Sequence, residues 1–385
     1  MVTTDGSPCL MLVAGEASGD LHGATLSRAL QRQGPGWRLV GMGGPRMAEA
    51  GVRLLADTVS HAVVGAGEAL SRLPRLFRAF TLLRREVKAQ RPRALVLIDF
   101  PEFNLRLARV AKRLQIPVVY FIPPQVWAWR RRRARLLARF TTEILAVFPF
   151  EPGIYEAAGA RVEFVGHPLL DVLPKSLSRE DARSTLGAPP DATLIGLLPG
   201  SRREEVGRLL PPMAEAARRI REAIPQARFL VAPATSVDPV LVERLLRNAP
   251  LELARVRGRT YEVMAAADLL LVASGTATLE AALIGTPMVV CYRVSRLSEL
   301  IARLLVRIPW VSLANIVSGR AVVPELLQDN ATGARLAEEA VGLLRNPEGL
   351  RAQRLAFAKL KGTLGTPGVG ERAARRILEV AGYPR

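Results

Sequence analysis

Short unbroken apolar runs recur along the chain, separated by longer stretches in which apolar residues return every three or four positions. The runs lie at 9–14, 37–41, 94–98, 117–122, 143–148 and 162–165, and again at 193–198, 228–232, 268–273 and 287–292. Continuous apolar runs of strand length predict strands covered on both faces of a parallel sheet. The helical periodicity between them predicts an α/β protein. The alternation breaks at "DVLPKSLSREDARSTLGAPPDA", residues 171–192, which is polar and turn-rich. We therefore expect two doubly wound, Rossmann-like domains, residues 1–172 and 173–350, facing across a cleft. Ligands of such sheets bind outside the carboxyl ends of the strands. Residues 351–385 read as helices, with Ala373, Ile377, Leu378 and Val380 on the apolar side of the last one. They are expected to pack back on the first domain or on a partner subunit.

Size and charge sharpen this picture. A chain of 385 residues exceeds one ordinary core. Only Cys9 and Cys291 occur, which gives no disulfide framework and suits a reducing compartment. No run approaches the ~20 apolar residues of a membrane span, and no signal peptide is expected. The formal net charge of +19 predicts an anionic partner: nucleic acid, acidic lipid or a nucleotide-sugar.

Four turns carry candidate chemistry. "VAGEASGD" follows the first strand as a phosphate-type loop would, yet it presents Glu16 and Asp20 beside Ser18 and Gly19. "LLPGSRREEV" offers backbone N–H groups and Arg202, a guanidinium suited to a diphosphate; a capped helix with a solvated arginine fits as well. "SGTATLE" brings Ser274, Gly275 and Thr276 to a helix start, with Glu280 one turn in, where ribose hydroxyls would lie. "LVLIDFPEFN" ends a buried strand on Asp99, either a general base or an Asx turn. The three histidines have no ligand spacing and no Asp-x-Asp occurs, so neither a metal nor another cofactor is expected.

Two stretches speak to surfaces. Residues 68–91 place Leu70, Leu73, Phe77 and Phe80 on an apolar stripe, with Leu76, Leu83 and Val87 nearby and arginines on the other side. Leu70, Leu73, Leu76 and Phe77 are the expected membrane contact. Such a helix suits a membrane interface, and equally a helix packed on its own sheet. "WAWRRRRARLLARF" suits nucleic acid, lipid phosphates or a solvated face.

The motifs "VAGEASGD", "GMGGPRM", "IDFPEFN", "PPQVWAWR", "FPFE", "VGHPLLD", "LLPGSR", "SGTATLE", "VSLANIV" and "PELLQD" occur in this order. Together they resemble the lipid-A-disaccharide synthases, a family of inverting glycosyltransferases. The resemblance implies a GT-B architecture. It implies transfer of 2,3-diacylglucosamine from UDP to 2,3-diacylglucosamine 1-phosphate, without a cofactor or nucleic acid, at the cytoplasmic face of the inner membrane, and it leaves room for a homodimer. It implies that Arg202, Ser274, Gly275, Thr276, Glu280, Asn315 and Gln328 serve the UDP-sugar. Asp99 would be the base at the acceptor hydroxyl, with Glu16 as its alternate. Ser18, Gly19, Asp20 and Asn104 would line the acceptor side. Phe100 and Glu102 depart from the small residue and aspartate expected there. A UDP-sugar 2-epimerase on the same fold is the alternative reading; it would need no lipid surface.

Overall fold

The computed structural model describes residues 7–59, 69–129, 132–174, 176–189, 191–247, 249, 251, 253–295 and 309–383. It divides into two compact units, one reaching Asp171 and resuming at Leu364, the other Val172–Thr363.

The first unit holds strands β1 (Cys9–Ala14), β2 (Arg38–Gly43), β3 (Arg53–Asp57), β4 (Ala94–Ile98), β5 (Val118–Phe121), β6 (Glu143–Ala146) and β7 (Val162–Phe164). They form one parallel sheet in the order β3-β2-β1-β4-β5-β6-β7. Every residue of β1 and β4 is buried, as their unbroken apolar runs require. Each such aliphatic side chain contributes about 1.5–3 kcal/mol on burial. The chain order reverses between β1 and β4, and their last residues, Ala14 and Ile98, are register partners. The crevice for a ligand opens beyond this pair.

The second unit repeats the design. Strands β8 (Leu194–Leu198), β9 (Arg228–Val231), β10 (Ala254–Arg255), β11 (Leu269–Ala273), β12 (Met288–Tyr292) and β13 (Glu325–Leu327) pair in parallel in the order β10-β9-β8-β11-β12-β13. Here the reversal falls between β8 and β11, where Leu198 pairs with Val272.

Strands β3, β10 and β13 lie outside the apolar runs of the sequence. All three are sheet edges, short and partly or wholly exposed, so packing does not demand a continuous apolar run of them. The carboxyl-terminal segment divides differently from the expected 351–385 block. Helix Pro347–Thr363 stays with the second unit, packed on helix Thr276–Ile284. Helix Val369–Val380 lies on helix Ala17–Gln33 in the first unit. Asp171 holds its start by accepting the Gly368 and Gly370 N–H groups, and Arg376 pairs with the buried Glu143 at 2.6 Å.

Candidate functional site

The carboxyl edge of the first sheet gathers the acidic turns. Beyond Ala14 the chain passes Gly15 and starts helix Ala17–Gln33 at Glu16, which is exposed. Beyond Ile98 come Asp99 and Phe100, both left-handed with φ of 48°, before helix Pro101–Arg113. Two successive non-glycine residues in that region are strained, a state that surrounding structure must hold in place. Phe100 folds over Gly15, where a Cβ would come within 2.3 Å of its ring, so the first turn needs glycine at that point. Phe100 also stacks on Phe103 at 5.5 Å. The departure from a small residue thus packs the crevice floor with an aromatic ring. Asp99 is half-buried, and burial, reinforced by the Glu16 charge, pushes its carboxyl up to about 6. A carboxyl so tuned is ionised at neutral pH yet basic enough to take a proton from a hydroxyl.

The other acceptor-side residues behave differently from expectation. The Asp20 carboxylate accepts the N–H groups of Gly44, Arg46 and Met47 at 2.8–3.2 Å. It clamps the start of the short helix Pro45–Glu49 and is buried. Gly19 is buried too, with a Cβ position 3.2 Å from the Ala14 side chain, so only Ser18 and Glu16 face solvent. Asn104 is fully buried, and its amide donates to the Asp99 carbonyl at 2.7 Å and to the Ile98 carbonyl at 3.3 Å. It holds the Asp99 turn from within the core. Trp127, read above as a surface aromatic, is buried and donates to Glu151 of "FPFE" at 3.2 Å. Glu151 also accepts the Val147 and Phe148 N–H groups, while burial pushes its carboxyl up to about 7. That bond ties the exits of β5 and β6 together. His167 Nδ1 accepts the Leu169 N–H at the exit of β7.

In the second unit, β8 ends in a turn built around Glu205. Its carboxylate accepts the Ser201 N–H at 2.9 Å and occupies the space a Gly200 side chain would need. Gly200 has a φ of +111°, which removes any other choice. Arg202 closes the turn as the exposed N-cap of helix Arg203–Ala223. Across the reversal, β11 runs into Ser274 and helix Thr276–Ile284. Among the described residues, and setting aside the glycine's chain neighbours, no atom lies within 4 Å of a Cβ built on Gly275 at this helix start. Its backbone N–H groups and dipole favour an anion there. Glu280 lies one turn inside; burial raises its carboxyl, and a Thr276 hydrogen bond opposes the shift. Ser274 donates to the Val311 carbonyl at 2.8 Å.

Asn315 is built into the loop that follows Val311. It is 0% exposed. Its carbonyl oxygen accepts the Val322 and Val323 N–H groups, and its amide donates to the Val323 carbonyl and to Glu325 at 2.8 Å. Glu325, unremarked in the sequence, also accepts from the Val311 and Ser312 backbones and the Ser312 hydroxyl. This network shapes the loop carrying Val311 against Ser274. Gln328, at φ 51° after β13, accepts the Val294 N–H at 2.7 Å. The sequence signal for Glu325 was a lone acid in an otherwise apolar strand, which packing alone does not explain.

Helix Ala69–Gln90 splits its stripe. Leu83 and Val87 are in the core, and the half-buried Leu76 and Phe80 pack against it. Leu73 and Phe77 point outward, 57% and 72% exposed, flanked by exposed Arg75 and Arg78. Leu70 lies outside the residues whose side chains are described. Among the described residues no helix is long and apolar enough to cross a membrane, and no three His, Cys, Asp or Glu residues gather as metal ligands.

Comparisons with known proteins agree with this geometry. A family described as lipid-A-disaccharide synthetase matches residues 10–365. The chain is 43% identical to the lipid-A-disaccharide synthase of Geobacter sulfurreducens, covering 99% of both chains. It is 46% identical to that of Anaeromyxobacter dehalogenans, covering 96% of this chain and 97% of the relative. Among solved structures, a putative UDP-N-acetylglucosamine 2-epimerase from Listeria monocytogenes superposes with a TM-score of 0.66 at 14% identity, covering 98% of each chain. Acinetobacter baumannii MurG does so with 0.60 at 17%, covering 97% of this chain and 99% of the other. At such identities these two speak to the fold alone, and they place it with the two-sheet GT-B proteins. The sequence relatives speak to chemistry, and by them the chain belongs to the lipid-A-disaccharide synthase family of glycosyltransferases.

Proposed function

We propose that this chain transfers 2,3-diacylglucosamine from UDP to the 6-hydroxyl of 2,3-diacylglucosamine 1-phosphate, with inversion, giving the β-1,6 disaccharide 1-phosphate and UDP. The observation that carries the reading is the Asp99 carboxyl at the β1/β4 reversal, held near 6 beside Glu16. Inversion takes one in-line displacement. Asp99 accepts the proton of the attacking hydroxyl, with Glu16 as the neighbouring acid that raises its basicity. In the second unit the helix start at Gly275 and the Arg202 guanidinium meet the charge that grows on the departing diphosphate. Ser274, Thr276, Glu280 and Gln328 orient the nucleoside diphosphate around them. Ser18 and Glu16 meet the acceptor sugar. Incubation with UDP-2,3-diacylglucosamine and the monosaccharide 1-phosphate is expected to release UDP and disaccharide 1-phosphate in equal amounts. Conversion of separately supplied UDP-N-acetylglucosamine to its 2-epimer, with no disaccharide formed from the acylated substrates, would overturn the assignment in favour of an isomerase.

Both substrates carry acyl chains, and the enzyme must meet them at a lipid surface. Leu73 and Phe77 are the contact we assign to the cytoplasmic face of the inner membrane, with Arg75 and Arg78 on lipid phosphates. The double substitution Leu73→Ser with Phe77→Ser is expected to weaken sedimentation with anionic vesicles by roughly 10-fold or more. Because both side chains are exposed, the Tm should hold within about 2 °C. Unfolding of the variant, or unchanged vesicle binding, would remove the contact from this helix.

A further inference from the structure

The strained turn that carries Asp99 is held from beneath by a side chain with no assigned role. Tyr120 lies in β5, register partner of Leu97 in β4, and is fully buried. Its hydroxyl donates to the Asp99 carbonyl at 2.6 Å. The Asn104 amide reaches the same carbonyl at 2.7 Å from the other side, and also bonds Ile98. Asp99 and Phe100 both sit at φ 48°, a conformation that relaxes unless something opposes it. One carbonyl oxygen with two short bonds from two elements is what fixes it. We propose that Tyr120 is a positioning residue for the reaction: together with Asn104 it locks the Asp99 backbone in the left-handed turn and so aims the carboxylate at the acceptor hydroxyl.

The neighbouring strand exit repeats the device. Ile122 is left-handed at φ 58°, and the buried Tyr155 hydroxyl donates to the Pro124 carbonyl at 2.6 Å. Two adjacent parallel strands thus end in strained non-glycine turns, each tied by a tyrosine hydroxyl rising from the core. A phenol suits this task. Burial, with the Asp99 charge second, raises the Tyr120 hydroxyl well above its ordinary range, so it remains a donor throughout the working pH range. Its ring is also fixed by packing in the same core that seats β4 and β5. Small errors in aim are costly in such a step, since the base must lie within hydrogen-bond reach of the proton it takes.

The inference rests on Asp99 as the base, so the experiment separates the two. Tyr120→Phe keeps the ring and removes only the bond to the Asp99 carbonyl. Its kcat is expected to fall roughly 10-fold or more while the KM for the acceptor changes less than about twofold. The acid limb of its pH–rate profile should move below the wild-type midpoint, because a loosened turn lets water reach the carboxylate. Thr286→Val is the control: it removes a buried hydroxyl-to-carbonyl bond of 2.7 Å just before β12, at the amino edge of the other sheet. It should lower Tm comparably and leave kcat and the pH profile alone. In an Asp99→Asn background, Tyr120→Phe should add no further loss of kcat, because residues acting as a unit are not additive. An unshifted pH profile with unchanged kcat in Tyr120→Phe overturns the proposal, as does a full additional loss in the Asp99→Asn background. If Asp99→Asn alone keeps normal turnover, the base assignment itself fails, whatever Tyr120→Phe does.

Discussion

Asp99→Asn is expected to lower kcat by about 10³-fold while leaving UDP affinity intact, and to make the protein more stable at the same time. The first effect follows from chemistry. An amide fits the same space but takes no proton, so the attacking hydroxyl must lose its proton to water. In the proposed function UDP is held by residues of the second unit, so its affinity should not register the change. The second effect follows from the sign of the pKa shift. Burial and Glu16 lift the Asp99 carboxyl from 3.8 to about 6 in the fold, so the native state favours the protonated form. Its stabilising contribution is fully present below the unfolded value near 3.8 and is lost as pH rises through 6. At pH 7–8 the native protein therefore holds an unfavourable charge, which asparagine removes. Asparagine also tolerates the left-handed φ well. A gain of about 1–3 kcal/mol at pH 8, shrinking toward pH 4, should appear in thermal melts of the two proteins. The wild-type kcat/KM should rise with pH through about 6, and the variant should lack that limb. Near-normal turnover by a variant that still binds UDP would move the base elsewhere, with Glu16 first in line.

How much of this could be read from sequence depends on where a residue sits relative to the sheets. The nine central strands stood out because burial on both faces forces continuous apolar runs, as in β1 and β4. Of the four edge strands only β7 lay in such a run; β3, β10 and β13 did not, because one side of each lacks a partner and no such run is required. The same division governs the site. Asp99, Glu16, Arg202 and Gly275 were visible as polar or small residues at strand exits, positions where packing has no use for them. Asp20, Asn104 and Asn315 had the same signature yet serve the backbone. A buried carboxylate on three N–H groups and a ligand-facing one look alike in sequence, because both need a short acid or amide beside a turn. Tyr120 and Glu151 were invisible for the opposite reason: they sit in or beside apolar runs, and only the fold reveals that their polar ends reach a turn. Phe100 shows a third case. It was noticed as a departure, but its consequence, a ring lying on Gly15, depends on the β1/β4 register.

The buried hydrogen bonds of Asn315 carry their own expected result. Asn315→Asp retains the oxygen that accepts the Val322 and Val323 N–H groups, but replaces the donor to Glu325, 2.8 Å away, with a second carboxyl. Two carboxylates at that distance in a buried site cannot both ionise without cost, so the introduced carboxyl titrates above its unfolded value. A raised carboxyl stabilises least where it is charged. The variant should therefore lie closest to wild type near pH 5 and lose stability relative to it as pH rises toward 8. Losing one member of a buried hydrogen-bonded pair costs about 3 kcal/mol, or roughly 6–12 °C in the Tm of a unit this size. Kinetically, the network reaches the turn at Ser274 through Val311, which accepts from Ser274, and through the Leu313 N–H bonded to Thr278. The KM for the UDP-sugar should therefore worsen in step with the stability loss and recover at lower pH together with it. A residue that touched the nucleotide-sugar directly would behave otherwise: donor affinity would collapse at every pH while the melting temperature stayed in place, and that outcome would place Asn315 on the ligand.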